Sequence, residues 1–89
     1  MRVRVGAVYT FEPVPMDRNA QHLRHVEPGL FVRVISPPGC PKANTMGHCF
    51  IESAVGNEFI GLVCCNSLRA LSRKDGRTLV RLGTIKPKS

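Results

Sequence analysis

Tryptophan is absent from this 89-residue chain, tyrosine occurs once, and only six acidic residues stand against thirteen lysines and arginines. Each scarcity excludes something. Tyr9 and four phenylalanines are the only rings able to stack on a base, too few for sequence-selective reading of single strands. Paired carboxylates for general acid–base work are missing, and no glycine-rich phosphate loop follows a strand pattern. No Cys-x-x-Cys pair occurs, although structural zinc usually depends on one. The longest apolar stretches run for a few residues, as from Gly61 to Cys65, so no membrane span is expected. The chain opens with Arg2 and Arg4 rather than an apolar segment, which predicts no secretory signal and a cytoplasmic location. In that compartment Cys40, Cys49, Cys64 and Cys65 are expected as free thiols. Adjacent Cys64 and Cys65 on a strand would point to opposite faces, which makes a two-bridge framework awkward.

What remains is an ordinary globular composition, with 43% hydrophobic and 21% charged residues. Chain length allows one domain and one core, burying only ~60% of the unfolded surface. A formal charge of +7 spreads a positive potential over so small a domain and favours anionic partners on encounter.

The segment 2–11 alternates Arg2, Val3, Arg4 and Val5 and continues through Val8, Tyr9, Thr10 and Phe11, which predicts a first strand. Pro13, Pro15 and Pro28 punctuate a long irregular excursion over 12–28. Pro28-Gly29 signals a turn into a second strand over 30–35, and 36–46 reads as a surface loop. Strands over 47–53 and 58–64 flank the turn residues 54–57 and form a hairpin; Asn66 and Ser67 interrupt the apolar run as a short helical turn, and 68–71 closes the set. The expected core is Val3, Val5, Val8, Val32, Val34, Ile51, Ile60 and Leu62. Five short strands without interleaved helices indicate an all-β fold, a small five-stranded barrel over residues 1–71.

Three blocks carry a family resemblance. Ala7-Val8-Tyr9-Thr10-Phe11 resembles the Ala-Leu-Tyr-Asp-Tyr opening of Src homology three domains. The segment from Glu27 to Ile35 is similar to the one in which a Gly-Asp turn leads into that family's second strand. Gly61-Leu62-Val63-Cys64-Cys65-Asn66-Ser67-Leu68 resembles its Gly-Leu-Phe-Pro-Ser-Asn-Tyr-Val, where a strand ends in one tight helical turn. The resemblance spans residues 6–71 and implies an SH3-like barrel. It also implies a groove for proline-rich peptides, laid across stacked aromatic rings. Carried over by position, that groove would consist of Tyr9, Phe11, His48, Cys64 and Ser67. Cys64 stands for its proline, Ser67 for its tyrosine and His48 near its tryptophan. Three of five platform groups are lost, so ordinary PxxP binding is expected to be too weak to detect.

Chemistry beyond binding has little to build on. Cys49 or Cys65 with His22, His25 or His48 is the one nucleophile–base arrangement available. Nothing in the sequence orients such a base, and a mixed Cys/His metal site lacks the usual spacing. No enzyme activity, cofactor, metal or small-molecule substrate is therefore expected. After Leu71 the composition shifts, with Arg73, Lys74, Arg77, Arg81, Lys86 and Lys88 against the single acid Asp75. Asp75-Gly76 predicts a basic C-terminal hairpin over 72–89, with a flexible tail as the other outcome. In the hairpin Lys74, Arg77, Leu79 and Arg81 share one side, and Leu71, Val80 and Leu82 the other. Together with Arg2, Arg4 and Arg69 this segment forms the candidate anion-binding surface. Two readings follow: a binding module that contacts nucleic acid or an acidic protein surface with little sequence preference, or a protein-interaction module that binds a peptide or a second copy as a homodimer.

Overall fold

The computed structural model describes residues 3–21, 23, 26–37 and 47–85. Five strands appear in chain order: β1 (Val8–Phe11), β2 (Phe31–Val34), β3 (His48–Ser53), β4 (Phe59–Cys64) and β5 (Leu68–Arg69). A four-residue helix, α1 (Arg18–Gln21), follows β1; a 3-10 turn at Cys65–Ser67 joins β4 to β5; and a nine-residue helix, α2 (Arg73–Arg81), follows β5. All strand neighbours are antiparallel, in one sheet of order β4-β3-β2-β1-β5.

Strand alternation sorts the side chains onto two faces. Tyr9, Phe11, Val32, Val34, Cys49, Ile51, Val63 and Leu68 pack into the main core, so every strand from one sheet edge to the other contributes to it. The turns that align the strands are those the sequence marks. Gly29 takes a φ of +91°, which glycine adopts without steric cost, and its N–H donates to the Phe11 carbonyl at 2.7 Å. Asn57 takes a φ of 57° at the end of the β3–β4 connection, where its N–H reaches the Ser53 carbonyl at 2.9 Å. The first strand is shorter than its alternation predicts. Gly6 turns the chain with a φ of 84° and donates to the Val34 carbonyl, so Val3 still packs on the core while Val5 is 54% exposed. Leu62 also departs from its expected place in this core. It sits opposite Phe50, on the other side of the sheet.

The proline-punctuated excursion after β1 closes over the main core and is fastened at one carboxylate. Asp17 is 2% exposed. Its Oδ1 accepts the Ala20 N–H at 3.1 Å, the arrangement of an N-cap at the start of α1. Its Oδ2 accepts the Cys64 N–H at 2.8 Å and the Ser67 hydroxyl at 2.6 Å. Ser67 in turn accepts the Glu12 N–H at its carbonyl (2.7 Å) and the Val14 N–H at its hydroxyl (3.3 Å). The excursion is thus tied to the end of β4 and to the turn that enters β5.

Residues 73–81 form a helix, not the hairpin or flexible tail that Asp75-Gly76 and the charge run predict. The reason lies at its ends. Ser72 is the N-cap, its hydroxyl accepting the Asp75 N–H at 3.1 Å. At the other end Gly83, with φ 76°, donates to the Val80 carbonyl (3.0 Å) while the Thr84 N–H reaches the Leu79 carbonyl (2.9 Å). That pair of bonds is a Schellman stop. Gly76 lacks the positive φ that the hairpin turn requires. The helical period also redistributes the apolar residues. Leu79, assigned by alternation to the charged side, is fully buried against Val8 and Ala54, with Phe31, Leu71 and Ile85 around it, whereas Leu82 is 63% exposed. This second cluster covers part of the sheet's outer face, so α2 packs on the strands rather than standing apart from them.

Candidate anion-binding surface

On α2, Arg73, Arg77 and Arg81 recur every fourth residue, so they form one stripe with about 6 Å of rise between neighbours. Lys74 lies beside it, and all four side chains are exposed. Burial of Leu79 on the sheet fixes which side of the helix faces outward. Arg69 joins them from β5, because it pairs with Thr10 and so lies on the outer face, away from the main-core residue Leu68. Among the described residues no carboxylate pairs with any of these five cations; the one ion pair is Arg33 with Glu52, at 3.7 Å.

The stripe borders a cleft of about 1020 Å³. It opens where the pairing of β5 with β1 ends, since Thr10 and Phe11 have partners on β5 and Val8 and Tyr9 do not. Val8, Leu71, Val80 and Ile85 contribute apolar wall, and Arg73, Arg77 and Arg81 stand at its helical side. A ligand entering it would meet the three arginines beside an apolar wall.

The remaining candidates fall elsewhere. Arg4 is exposed in the turn before β1, where its N–H donates to the Tyr9 hydroxyl at 2.9 Å. Arg2, Lys86 and Lys88 lie outside the described residues, as do His22, His25 and Cys40. Of the five positions carried over from the peptide groove, Tyr9, Phe11, Cys64 and Ser67 are buried and His48 is half-buried. Phe11 and Ser67 have no exposed surface at all. Phe11 serves the core and the Ser67 hydroxyl the Asp17 fastening.

Among the described residues Cys49, Cys64 and Cys65 form no disulfide. Burial, first, and the neighbouring Cys65 thiol, second, push Cys49 up to about 12. Burial also raises Cys65, opposed in part by its hydrogen bond with Cys49. At neutral pH the thiolate form of Cys49 is negligible, which leaves it a weak nucleophile. His48 is next to Cys49 in sequence, but strand alternation directs it to the outer face and Cys49 to the core. Among the described residues no three His, Cys, Asp or Glu side chains gather as metal ligands, and no helix is long and apolar enough to cross a membrane.

Sequence reasoning found the cations but not their arrangement. The missed signals were Ser72 with Asp75 three residues on, which starts a helix, and Leu82-Gly83, which stops one. Asp17 carried no sequence signal beyond being an acid before Arg18. No protein-family model, curated protein or solved structure matches this chain.

Proposed function

We propose that this chain is a non-enzymatic, SH3-like binding module whose α2 face holds nucleic acid by its phosphates, with little sequence preference. The observation behind this reading is the exposed stripe of Arg73, Arg77 and Arg81 with Lys74 beside it, none of them paired with a carboxylate among the described residues, on a chain of net charge +7. Phosphate contacts of this kind position a ligand and carry no sequence information. The barrel is supported by the 3-10 turn between β4 and β5, at the place the family resemblance requires, by a main core shared by both sheet edges, and by the excursion that Asp17 fastens across β4 and the entry to β5. The competing reading, self-association through a strand edge, draws on β4 having a neighbour on one side only.

Binding to random-sequence duplex DNA, followed by fluorescence anisotropy between 50 and 200 mM salt, tests the reading. Four cations neutralising phosphates predict a slope of log affinity against log salt of about −3.6, roughly a hundredfold loss over that range. Replacing Arg73, Arg77 and Arg81 together by glutamine should remove about 2.7 of that slope. The substituted side chains are exposed, so circular dichroism should be unchanged. Absence of binding to duplex and single-stranded DNA alike at 50 mM salt, or a triple variant with an unaltered slope, overturns the reading.

A further inference from the structure

The helix α2 covers only part of the sheet's outer face. Toward the β4 edge the same face carries two uncovered rings, Phe50, 43% exposed, and Phe59, 64% exposed. Their centroids are 5.9 Å apart and the rings are inclined at 36°. Strand register puts them on one side. Phe59 pairs with Glu52, Phe50 lies two residues before Glu52 on β3, and His48, half-buried, lies two residues before Phe50. Exposing two large rings to water is unfavourable by their apolar area, and neither ring belongs to either core cluster.

These rings are linked to the basic helix by one side chain. The Arg33 guanidinium donates to the Thr84 carbonyl, just beyond α2, at 3.1 Å, and to Asn57 Oδ1, in the β3–β4 turn, at 3.2 Å. It also pairs with Glu52, the cross-strand partner of Phe59. Cations on the helix and rings on the sheet therefore lie on one side of the sheet, the stripe toward the β1–β5 end and the rings toward the β4 edge, with Arg33 bonded between the segment after α2 and the strands that carry the rings. A duplex keeps its bases stacked on one another and offers such rings only its backbone. An unpaired strand offers phosphates to the arginines and base faces to the rings at the same time.

We propose that the preferred ligand is single-stranded nucleic acid, its phosphates on the α2 stripe and its bases stacked on Phe50 and Phe59. This rests on the phosphate-binding reading above and adds to it the strandedness of the ligand. Stacking on a phenylalanine ring is tolerant of base identity, so the preference is for unpaired bases and not for a sequence.

The test compares three probes at 50 mM salt: a mixed-sequence single-stranded DNA of about 12 nucleotides, the duplex of the same sequence, and a strand of equal length with abasic sites throughout. The expected order is single strand tightest, with duplex and abasic strand weaker and similar to each other. The F50A/F59A variant should lose about tenfold to hundredfold in affinity for the single strand and less than twofold for the duplex. Phe59→Leu, which keeps an apolar side chain but removes the ring, should lose about fivefold or more for the single strand. Equal binding of single strand and duplex, unmoved by F50A/F59A, overturns this inference while leaving the phosphate reading in place. No binding of any probe overturns both. Dimerisation without nucleic acid, seen by light scattering and abolished by F50A/F59A, would assign the rings to a second copy of the chain and overturn the stacking role.

Discussion

Replacing Asp17 by alanine is expected to cost the fold about 3 kcal/mol. The carboxylate accepts three hydrogen bonds, from the Ala20 N–H, the Cys64 N–H and the Ser67 hydroxyl, in a place closed to water. Alanine leaves donors in the interior without a partner, and each buried orphan costs about 1–3 kcal/mol. Against a total stability of about 5–15 kcal/mol for a natural domain this is a large fraction. Asparagine retains one acceptor oxygen but turns an amide N–H toward a donor, so Asp17→Asn should fall between wild type and Asp17→Ala. Urea unfolding at neutral pH, with the midpoint converted to free energy, is the measurement. A loss below about 1 kcal/mol for Asp17→Ala would show that water replaces the carboxylate and that the fastening adds little.

Leu79→Ala should cost a similar amount, about 2–5 kcal/mol, because it leaves a cavity where Val8 and Ala54 meet α2. Leu82→Ala, three residues on and exposed, should change stability by no more than about 0.5 kcal/mol. The contrast distinguishes a helix packed on the sheet from a hairpin. In the hairpin Leu82 would lie against the sheet and Leu79 would stand among the charges, and the two costs would be reversed. The same packing changes how the binding surface can be tested. Removing residues 72–89 would strip the cover from Val8 and Phe31, so a truncated chain would lose stability together with its cations. Substitution of the exposed arginines separates the two effects and deletion does not.

The strands were legible because two local signals agree in them. Period-two alternation marks Val32, Val34 and Ile51 as one face, and Gly29 and Asn57 supply positive φ where the chain reverses; on β4 the continuous apolar run hides the period, so Leu62 was expected inside where Val63 is. In the C-terminal segment local signals conflict. Asp75-Gly76 favours a hairpin, while Ser72 with Asp75 and Leu82-Gly83 favour a capped helix. What decides is the burial of Leu79 on an outer sheet face, which alternation along the segment itself does not contain. The same limit applies to the groove residues. Tyr9 and Phe11 fit an aromatic opening motif, but whether their rings face a ligand or a core depends on which side of β1 the rest of the chain fills. Asp17 was illegible for a stronger reason: two of its three partners lie 47 and 50 residues further along the chain.

That separation also bears on the order in which the molecule assembles. A contact spanning some fifty residues carries the entropy of closing a long loop, and it has no partner to find until β4 and the turn after it exist. The long-range part of the Asp17 fastening is therefore expected to form late, after the hairpin of β3 and β4. Interactions formed after the transition state govern how fast a protein comes apart and leave its rate of assembly nearly untouched. In stopped-flow kinetics of Asp17→Ala the unfolding limb should carry most of the change and the refolding limb little. The buried carboxylate is in that sense a latch on the finished molecule, setting its lifetime once closed.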